Sequence, residues 1–546
     1  MTEKIIAGAI GNCVHVAGVY GFLRLAEELG YDTEFLGAAV YVDQFVTAIR
    51  ELDPDIVGVS YRLTPEVAER VLQDLKAKLE KAGLANRRFV FGGTPPVCEV
   101  AEKLGWFERC FSGLESQRDV WAYLSGQSTP EQVGVSGDTL LERLDRSRPF
   151  PLLRHHFGLP SLEETTAGVR KIAESGVLDI ISLAPDQNAQ ESFFRPSEME
   201  PMLDGAGGVP VRSAEDLDRI YHASRCGNHP LLRIYSGTRD LIRWAELATE
   251  TIRNAWGAVP LCWYSALDGR SQRTPEEAIR ENQEAMRWYG LQEIPLEVNE
   301  AHHWSMRDAH DTIAVAMAYI AAYNAKAMGV ENYVAQYMFN SPPTTSAAMD
   351  LAKMLAKIEL IEQLHDETFR SYRQVRAGLL YLSPRANIAK GQLASSTMLA
   401  MQLRPHIIHV VGYCEGDHAA GPDDVIESCE IVHGALRNSL TGMPDITENM
   451  LVTERKEELL AEVKALLDVL RCFGGNGDPL VNPGVLAEAI KAGILDAPHL
   501  KGNRFASGKL ETRVVNGSIY PIDPATKQVL TESERLSAFA EPCICS

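Results

Sequence analysis

Two successive runs of short apolar strands alternating with amphipathic helices constrain this chain more than any other feature. Between residues 4 and 125, strand candidates at 4–10, 32–37, 55–60, 88–92 and 109–111 are separated by helical stretches such as 64–82. Strands joined by helical crossovers run parallel, and right-handed crossovers put helices on both faces of the sheet. The pattern therefore predicts an α/β domain over residues 1–125, with a doubly wound sheet ordered 2-1-3-4-5. Residues 126–150, GQSTPEQVGVSGDTLLERLDRSRPF, are polar and rich in turn formers, and are expected to be a linker.

The alternation then resumes on a larger scale. Strand candidates lie at 178–184, 231–236, 259–265, 295–299, 332–339 and 407–413, each followed by a helical pattern. Six visible units, with room for two poorly marked ones, predict a (β/α)8 TIM barrel over residues 151–502. In the remaining stretch, 503–546, Asn516-Gly517 between ETRVV and SIYPI signals a β-hairpin.

Charge narrows the partners. The chain has 74 acidic against 53 basic side chains, a formal charge of −21, which argues against nucleic acid and against an anionic membrane surface. A small-molecule partner is expected instead. The longest strongly apolar run, IAVAMAYIAAY at 313–323, is about half of the roughly 20 residues that span a bilayer, and reads as a buried helix. The amino terminus passes into a strand pattern without a cleavage-like site, so a cytoplasmic protein is expected. Of the ten cysteines only Cys543 and Cys545 are close together, so neither a disulfide framework nor a thiolate zinc knuckle is indicated. Barrels of this size often pair, and a homodimer is expected.

Three loops leave the carboxyl ends of candidate strands one, three and four, which are neighbours in the 2-1-3-4-5 order and are where open parallel sheets bind ligands. The first carries His15 and Gly18, the second Ser60 and Thr64, the third Gly92 and Gly93. Taken singly, Gly-Gly after a strand is a tight turn and Ser at a strand end is a helix cap. Together they form one edge, with glycines that admit close backbone approach and a hydroxyl for hydrogen bonding. Residues 4–125 resemble the cobalamin-binding domain of adenosylcobalamin-dependent mutases and methionine synthase, a flavodoxin-like fold with the signature D-x-H-x-x-G, S-x-L and G-G. Here the first reads Cys13-Val14-His15-Val16-Ala17-Gly18, the second Ser60-Tyr61-Arg62 with Leu63 one place later, and the third Gly92-Gly93. The resemblance implies that His15 is the lower axial ligand of cobalt, and that Cys13, Gly18, Ser60, Arg62, Thr64, Gly92 and Gly93 line the cofactor site. Two positions depart from the pattern: Cys13 stands where the family has an aspartate that hydrogen-bonds the ligating histidine, and Arg62 where it has leucine.

The barrel region resembles the epsilon subunit of glutamate mutase. The clearest stretch is GGNGDPLVNPGVLAEAIKAGILDAPHLKGNRFASGKL at 474–510, with a second match in SGTRDLIRWAEL at 236–247. By that resemblance Arg243 holds a substrate carboxylate, with Arg233 and Arg239 as nearby alternatives; as a charged residue in a first helical turn, Arg243 is equally readable as solvated. Glu415 and His418, in VVGYCEGDHAAGPDD, are candidates for contacts to the cofactor ribose or to substrate. His302 and His303 could ligate a metal, although adjacent residues rarely point the same way and a loop histidine bonded to backbone is the commoner case.

The activity so implied is that of an adenosylcobalamin-dependent mutase acting on a small carboxylate-bearing substrate, with the cofactor between the first domain and the barrel mouth. A corrinoid-dependent methyltransferase and a non-catalytic cobalamin-binding protein are the alternatives. The mutase is favoured over the methyltransferase because the first domain, starting at residue 4, leaves no room for a preceding helical cap.

Overall fold

The computed structural model describes residues 3–115, 117–126, 137–235, 237–440, 442–474 and 477–539. The chain divides into two compact units, Met1–Gly134 with Leu440–Met443, and Val135–Ser439 with Pro444–Ser546.

The first unit is a five-stranded parallel sheet of β1 (Lys4–Ile10), β2 (Asp32–Val40), β3 (Ile56–Tyr61), β4 (Arg88–Gly93) and β5 (Arg109–Phe111), in the order β2-β1-β3-β4-β5. Successive strand residues point to opposite faces, and here both faces are apolar. Ile6, Val57, Val59, Phe89 and Phe91 pack with Phe45, Leu72 and Leu75, whereas Ile5, Ala7, Ile56 and Val90 pack with Val19, Leu23 and Leu124. Buried on both sides, the strands read as continuous apolar runs.

The second unit holds eight parallel strands: β6 (Leu152–Phe157), β7 (Ile180–Leu183), β8 (Leu231–Ile234), β9 (Gly257–Val259), β10 (Leu296–Val298), β11 (Asn332–Phe339), β12 (Arg370–Ala377) and β13 (Ile407–Val410). They are ordered β8-β7-β6-β13-β12-β11-β10-β9, so the ladder runs around a barrel and ends on two strands adjacent in sequence. Ala255 N donates to Leu232 O (2.9 Å) and Ile234 N to the Asn254 side chain (2.9 Å), lacing that last seam. β14 (Glu511–Val515) and β15 (Ser518–Ile522) pair as an antiparallel hairpin through Asn516 and Gly517, both at positive φ as a two-residue primed turn requires. Among the described residues no helix is long and apolar enough to cross a membrane.

The structure departs from the sequence-based expectations in three places. The stretch 126–150 is more than a linker: residues 127–136 lie outside the described residues, but Leu140–Ser147 is a helix with a Thr139/Glu142 capping box. Its Leu140 and Leu144 pack against Leu152, Ile180, Leu231, Trp256 and Ile407, closing the amino-terminal end of the barrel. The strand expected at 259–265 is β9, which ends at Val259, because the Glu300 carboxylate accepts from Leu261 N (2.8 Å) and Cys262 N (2.9 Å) and turns the chain away. β6 and β12 carry no strand signal in the sequence reading. Cys543 and Cys545 lie outside the described residues.

Candidate functional site

In the first unit the loop from β1 to the helix Ala17–Glu28 brings Cys13 and His15 together. Cys13 is fully buried, held by Ala39 N donating to its carbonyl (2.9 Å). Its Sγ lies 3.8 Å from Nδ1 of the exposed His15 imidazole, which leaves Nε2 as the ring nitrogen available to a metal. The contact is weak, and it leaves Nε2 free for a metal when Nδ1 carries the ring proton and the Cys13 sulfur accepts it.

Across the sheet, Ala9, Ser60 and Gly92 are successive register partners, so three small residues form one row at the carboxyl ends of β1, β3 and β4. A Cβ on Gly92 would meet nothing nearer than Ser60 Oγ at 4.0 Å, and one on Gly18 would meet no heavy atom within 4 Å. Gly93 differs, because a Cβ there would lie 2.8 Å from Tyr61 O and 2.9 Å from Phe91. Arg62 and Thr64 are exposed. Large apolar side chains also stand in solvent on these loops and on the first turn of the helix Ala17–Glu28: Val14 (63% exposed), Leu63 (39%) and Tyr20 (53%). An exposed imidazole, open space over Gly18 and Gly92 and a bare apolar rim fit a flat macrocycle whose metal takes a nitrogen ligand.

The glycines separate fold from binding. Gly93→Ala is expected to destabilise the first unit by about 1–3 kcal/mol through overpacking, read as a lower urea midpoint. Gly18→Ala should leave the midpoint unchanged and, if the macrocycle lies over that position, weaken corrinoid binding.

In the second unit a cavity of about 320 Å³ opens at the carboxyl ends of the barrel strands. Arg154 on β6 donates from Nε to Ser182 Oγ (2.6 Å), and from Nη1 to Gln374 Oε1 (2.6 Å) and Glu297 Oε2 (3.1 Å). Arg233 on β8 donates to the same Glu297 oxygen (3.3 Å), as does Trp256 Nε1 (2.9 Å). Burial would raise the Glu297 pKa, but Arg154 and Arg233 outweigh it and hold the carboxyl at about 2. Arg376 on β12 is the third guanidinium; burial lowers its pKa to about 10, offset chiefly by Glu415, so it remains charged at neutral pH. Five histidines border the cavity. Burial depresses them all, His155 to about 4, His302 to about 3, and His156, His303 and His409 well below the ordinary value. They therefore act as neutral donors and acceptors.

Four guanidiniums, those of Arg154, Arg233, Arg376 and Arg270, thus line a cavity that holds the buried Glu297 carboxylate, which pairs with the first two, and Glu415 is a second acid in the wall. Several polar atoms here are buried without a hydrogen-bond partner: Arg233 Nε, Arg376 Nε, His155 Nε2, His303 Nε2, His409 Nδ1 and Gln336 Oε1. Buried polar groups are ordinarily satisfied, so a cavity with two unpartnered guanidinium donors beside unpartnered acceptors such as Gln336 Oε1 is shaped for an anionic, hydrogen-bonding guest.

The residues anticipated from sequence divide. Glu415 and Arg233 line the cavity. Arg243 does not: it is exposed on the helix Leu241–Ile252, with its guanidinium 4.1 Å over the Phe194 ring. Arg239 pairs with Glu198 (2.7 Å) and Glu191 (3.3 Å). His418 is half exposed beside Asp417 and Asp424, outside the cavity lining. His302 and His303 both reach the cavity, their rings 4.3 Å apart. Arg154, Arg376, His156 and His409 were missed; the signal was an arginine or histidine at alternate positions of LLRHHF, RSYRQVRA and IIHV, where a buried strand should be apolar.

Residues 3–111 match the B12 binding domain family. Over 102 residues the chain is 28% identical to trimethylamine corrinoid protein 2 of Methanosarcina acetivorans, a stretch covering 18% of this chain and 46% of that protein. The chain thus spans about half the length of that curated relative. Among solved structures, a cobalamin-binding protein from Desulfitobacterium hafniense DCB-2 is 26% identical, covering 20% of this chain and 52% of that one, with a TM-score of 0.19. The cobalamin-dependent S-adenosylmethionine radical enzyme OxsB is 12% identical over 88% of this chain and 63% of its own, also at 0.19. At that score the overlays say nothing about the arrangement of the barrel. The first unit is a cobalamin-binding domain.

Proposed function

We propose that this chain is a cobalamin-dependent mutase that rearranges a small carboxylate-bearing substrate in the barrel cavity. The observation that carries the reading is the pairing, in one chain, of a cobalamin-binding domain with a cavity lined by four guanidiniums, of which two are paired with one buried carboxylate. Adenosylcobalamin, when bound, supplies an organic radical able to take a hydrogen atom from an unactivated carbon.

The chain's own residues do the rest. His15 Nε2 would ligate the cobalt, with the ring oriented by the contact of Nδ1 to Cys13. Arg376 and Arg233 bind the substrate carboxylate, using the guanidinium N–H groups that lack a partner. Glu297 and Gln374 hold Arg154 in place, and the neutral histidines supply hydrogen bonds without adding a proton donor of ordinary acidity. A substrate that fills the cavity would displace the water there, which protects a radical from quenching.

A second reading, a corrinoid-dependent methyltransferase, is favoured by the likeness to trimethylamine corrinoid protein 2. Turnover of a panel of amino and hydroxy acids with adenosylcobalamin, against methyl transfer from methylcobalamin, separates the two. The cofactor assignment is tested directly by electron paramagnetic resonance of the reduced, cobalamin-loaded chain. Nitrogen superhyperfine coupling from the protein is expected in the wild type and should vanish in His15→Ala; coupling that persists in that variant removes His15 as the ligand.

A further inference from the structure

We propose that Cys414, His418 and Asp424 bind a zinc ion at the rim of the barrel, using none of the residues of the first unit's corrinoid loops. A thiol sulfur, an imidazole nitrogen and a carboxylate oxygen from these three residues all lie within 4.8 Å of one another.

The fold builds this cluster within eleven residues. β13 ends at Val410, and the tight turn Tyr413–Gly416 follows at once. Asp417 N and His418 N both donate back to Cys414 O, at 2.8 and 2.9 Å, which sets His418 beside the buried Cys414. Asp424, in the first turn of the helix Pro422–Leu440, is drawn in by Gly421 N donating to its Oδ2 (2.9 Å) and by Tyr413 OH donating to its Oδ1 (2.9 Å).

The surroundings orient each donor as a metal site does. His418 Nδ1 is 2.8 Å from Asp417 Oδ2, so its N–H donates there and Nε2 is turned to within 3.4 Å of Asp424 Oδ2. A ligating histidine commonly gives its other ring N–H to a carboxylate, which fixes the tautomer and strengthens the ligating nitrogen. Sulfur and imidazole donors select against magnesium and calcium, and a mixed sulfur, nitrogen and oxygen set suits zinc. Binding converts the Cys414 thiol to a thiolate with release of one proton to solvent, and thiolate plus carboxylate then neutralise the dication. Three protein ligands leave a fourth position open. The same segment supplies Gly412 and Glu415 to the cavity wall, so the ion would also fix that part of the substrate site.

The competing arrangement is an imidazolium held between Asp417 and Asp424 with no ion. The full-length chain, with and without cobalamin, is equilibrated with zinc, gel-filtered and analysed for zinc and cobalt separately. About one zinc per chain is expected in both states. Cys414→Ser and His418→Ala should each weaken binding at least about tenfold, and Asp417→Asn by about 10- to 100-fold. His222→Ala, at an exposed histidine paired with Asp218, should change nothing. Zinc-edge absorption should show one sulfur at about 2.3 Å, lost in Cys414→Ser. No retained zinc at micromolar free ion, or equal retention in His418→Ala, overturns the proposal. His418 is half exposed, so that variant tests binding without threatening the fold. Because zinc is counted without corrinoid as well, failure here and failure of the mutase reading remain separate results.

Discussion

Glu297→Ala is expected to lower the stability of the barrel unit by about 3–5 kcal/mol, the usual effect of removing one partner of a buried charge pair. The reason lies in what remains. Glu297 is 1% exposed and accepts from Arg154, Arg233 and Trp256, so its loss leaves two buried guanidiniums, both 5.2 Å from the Trp256 ring, without a counter-charge. Glu297→Gln keeps the volume and an acceptor, and so isolates the charge; most of the loss should persist. The pH dependence has a definite sign. The folded pKa of about 2 is below the unfolded value of about 4.3. The stabilisation is therefore fully present above pH about 4.3 and is lost as pH falls towards 2. In the Glu297→Gln variant that part of the acid sensitivity should disappear. Urea unfolding of both proteins between neutral and acid pH reads the effect, and equal midpoints at neutral pH would show that the two arginines do not need this carboxylate.

This network also explains what could be seen in the sequence and what could not. The first unit was legible almost throughout, because β1, β3 and β4 are buried on both faces and their apolar runs stand out between amphipathic helices. Cys13, His15 and the glycines could be singled out because a signature fixes their spacing within one loop or strand end. In the barrel, the strands that escaped notice are those that carry the chemistry. LLRHHF and RSYRQVRA place Arg154, His156, Gln374 and Arg376 in or around the cavity, and an inward arginine breaks the apolar pattern by which a buried strand is recognised. Pairing through space defeats sequence reading for a second reason. Arg154 meets Gln374 across 220 positions and Glu297 across 143, and no local pattern records either contact. Arg243 shows the converse: a motif suggested a substrate role, and the helix on which it sits turns its guanidinium onto Phe194, away from the cavity lining.

The arginines give the sharpest functional contrast. For whichever carboxylate substrate the cobalamin-loaded chain turns over, Arg376→Met is expected to cut kcat/KM by about 30-fold to several thousand-fold, corresponding to the roughly 2–5 kcal/mol lost when one side of a buried charge pair is truncated. Arg243→Met should change it by no more than about twofold, as for an ordinary surface substitution. The difference follows from environment rather than residue type. Arg376 lines the cavity with its Nε buried and unpartnered, so a bound carboxylate would satisfy a donor that otherwise has none. Arg243 already stands in water, where binding an anion replaces one good solvation shell with another. A guanidinium that titrates near pH 10 adds a check of sign. Burial lowers that value and Glu415 partly restores it, so substrate affinity should hold across neutral pH and weaken as pH rises through about 10. The same rise should leave the Arg376→Met variant flat. Should Arg243→Met prove as damaging as Arg376→Met, the carboxylate is held on the face where Phe194 lies, and the cavity would have to bind some other part of the substrate.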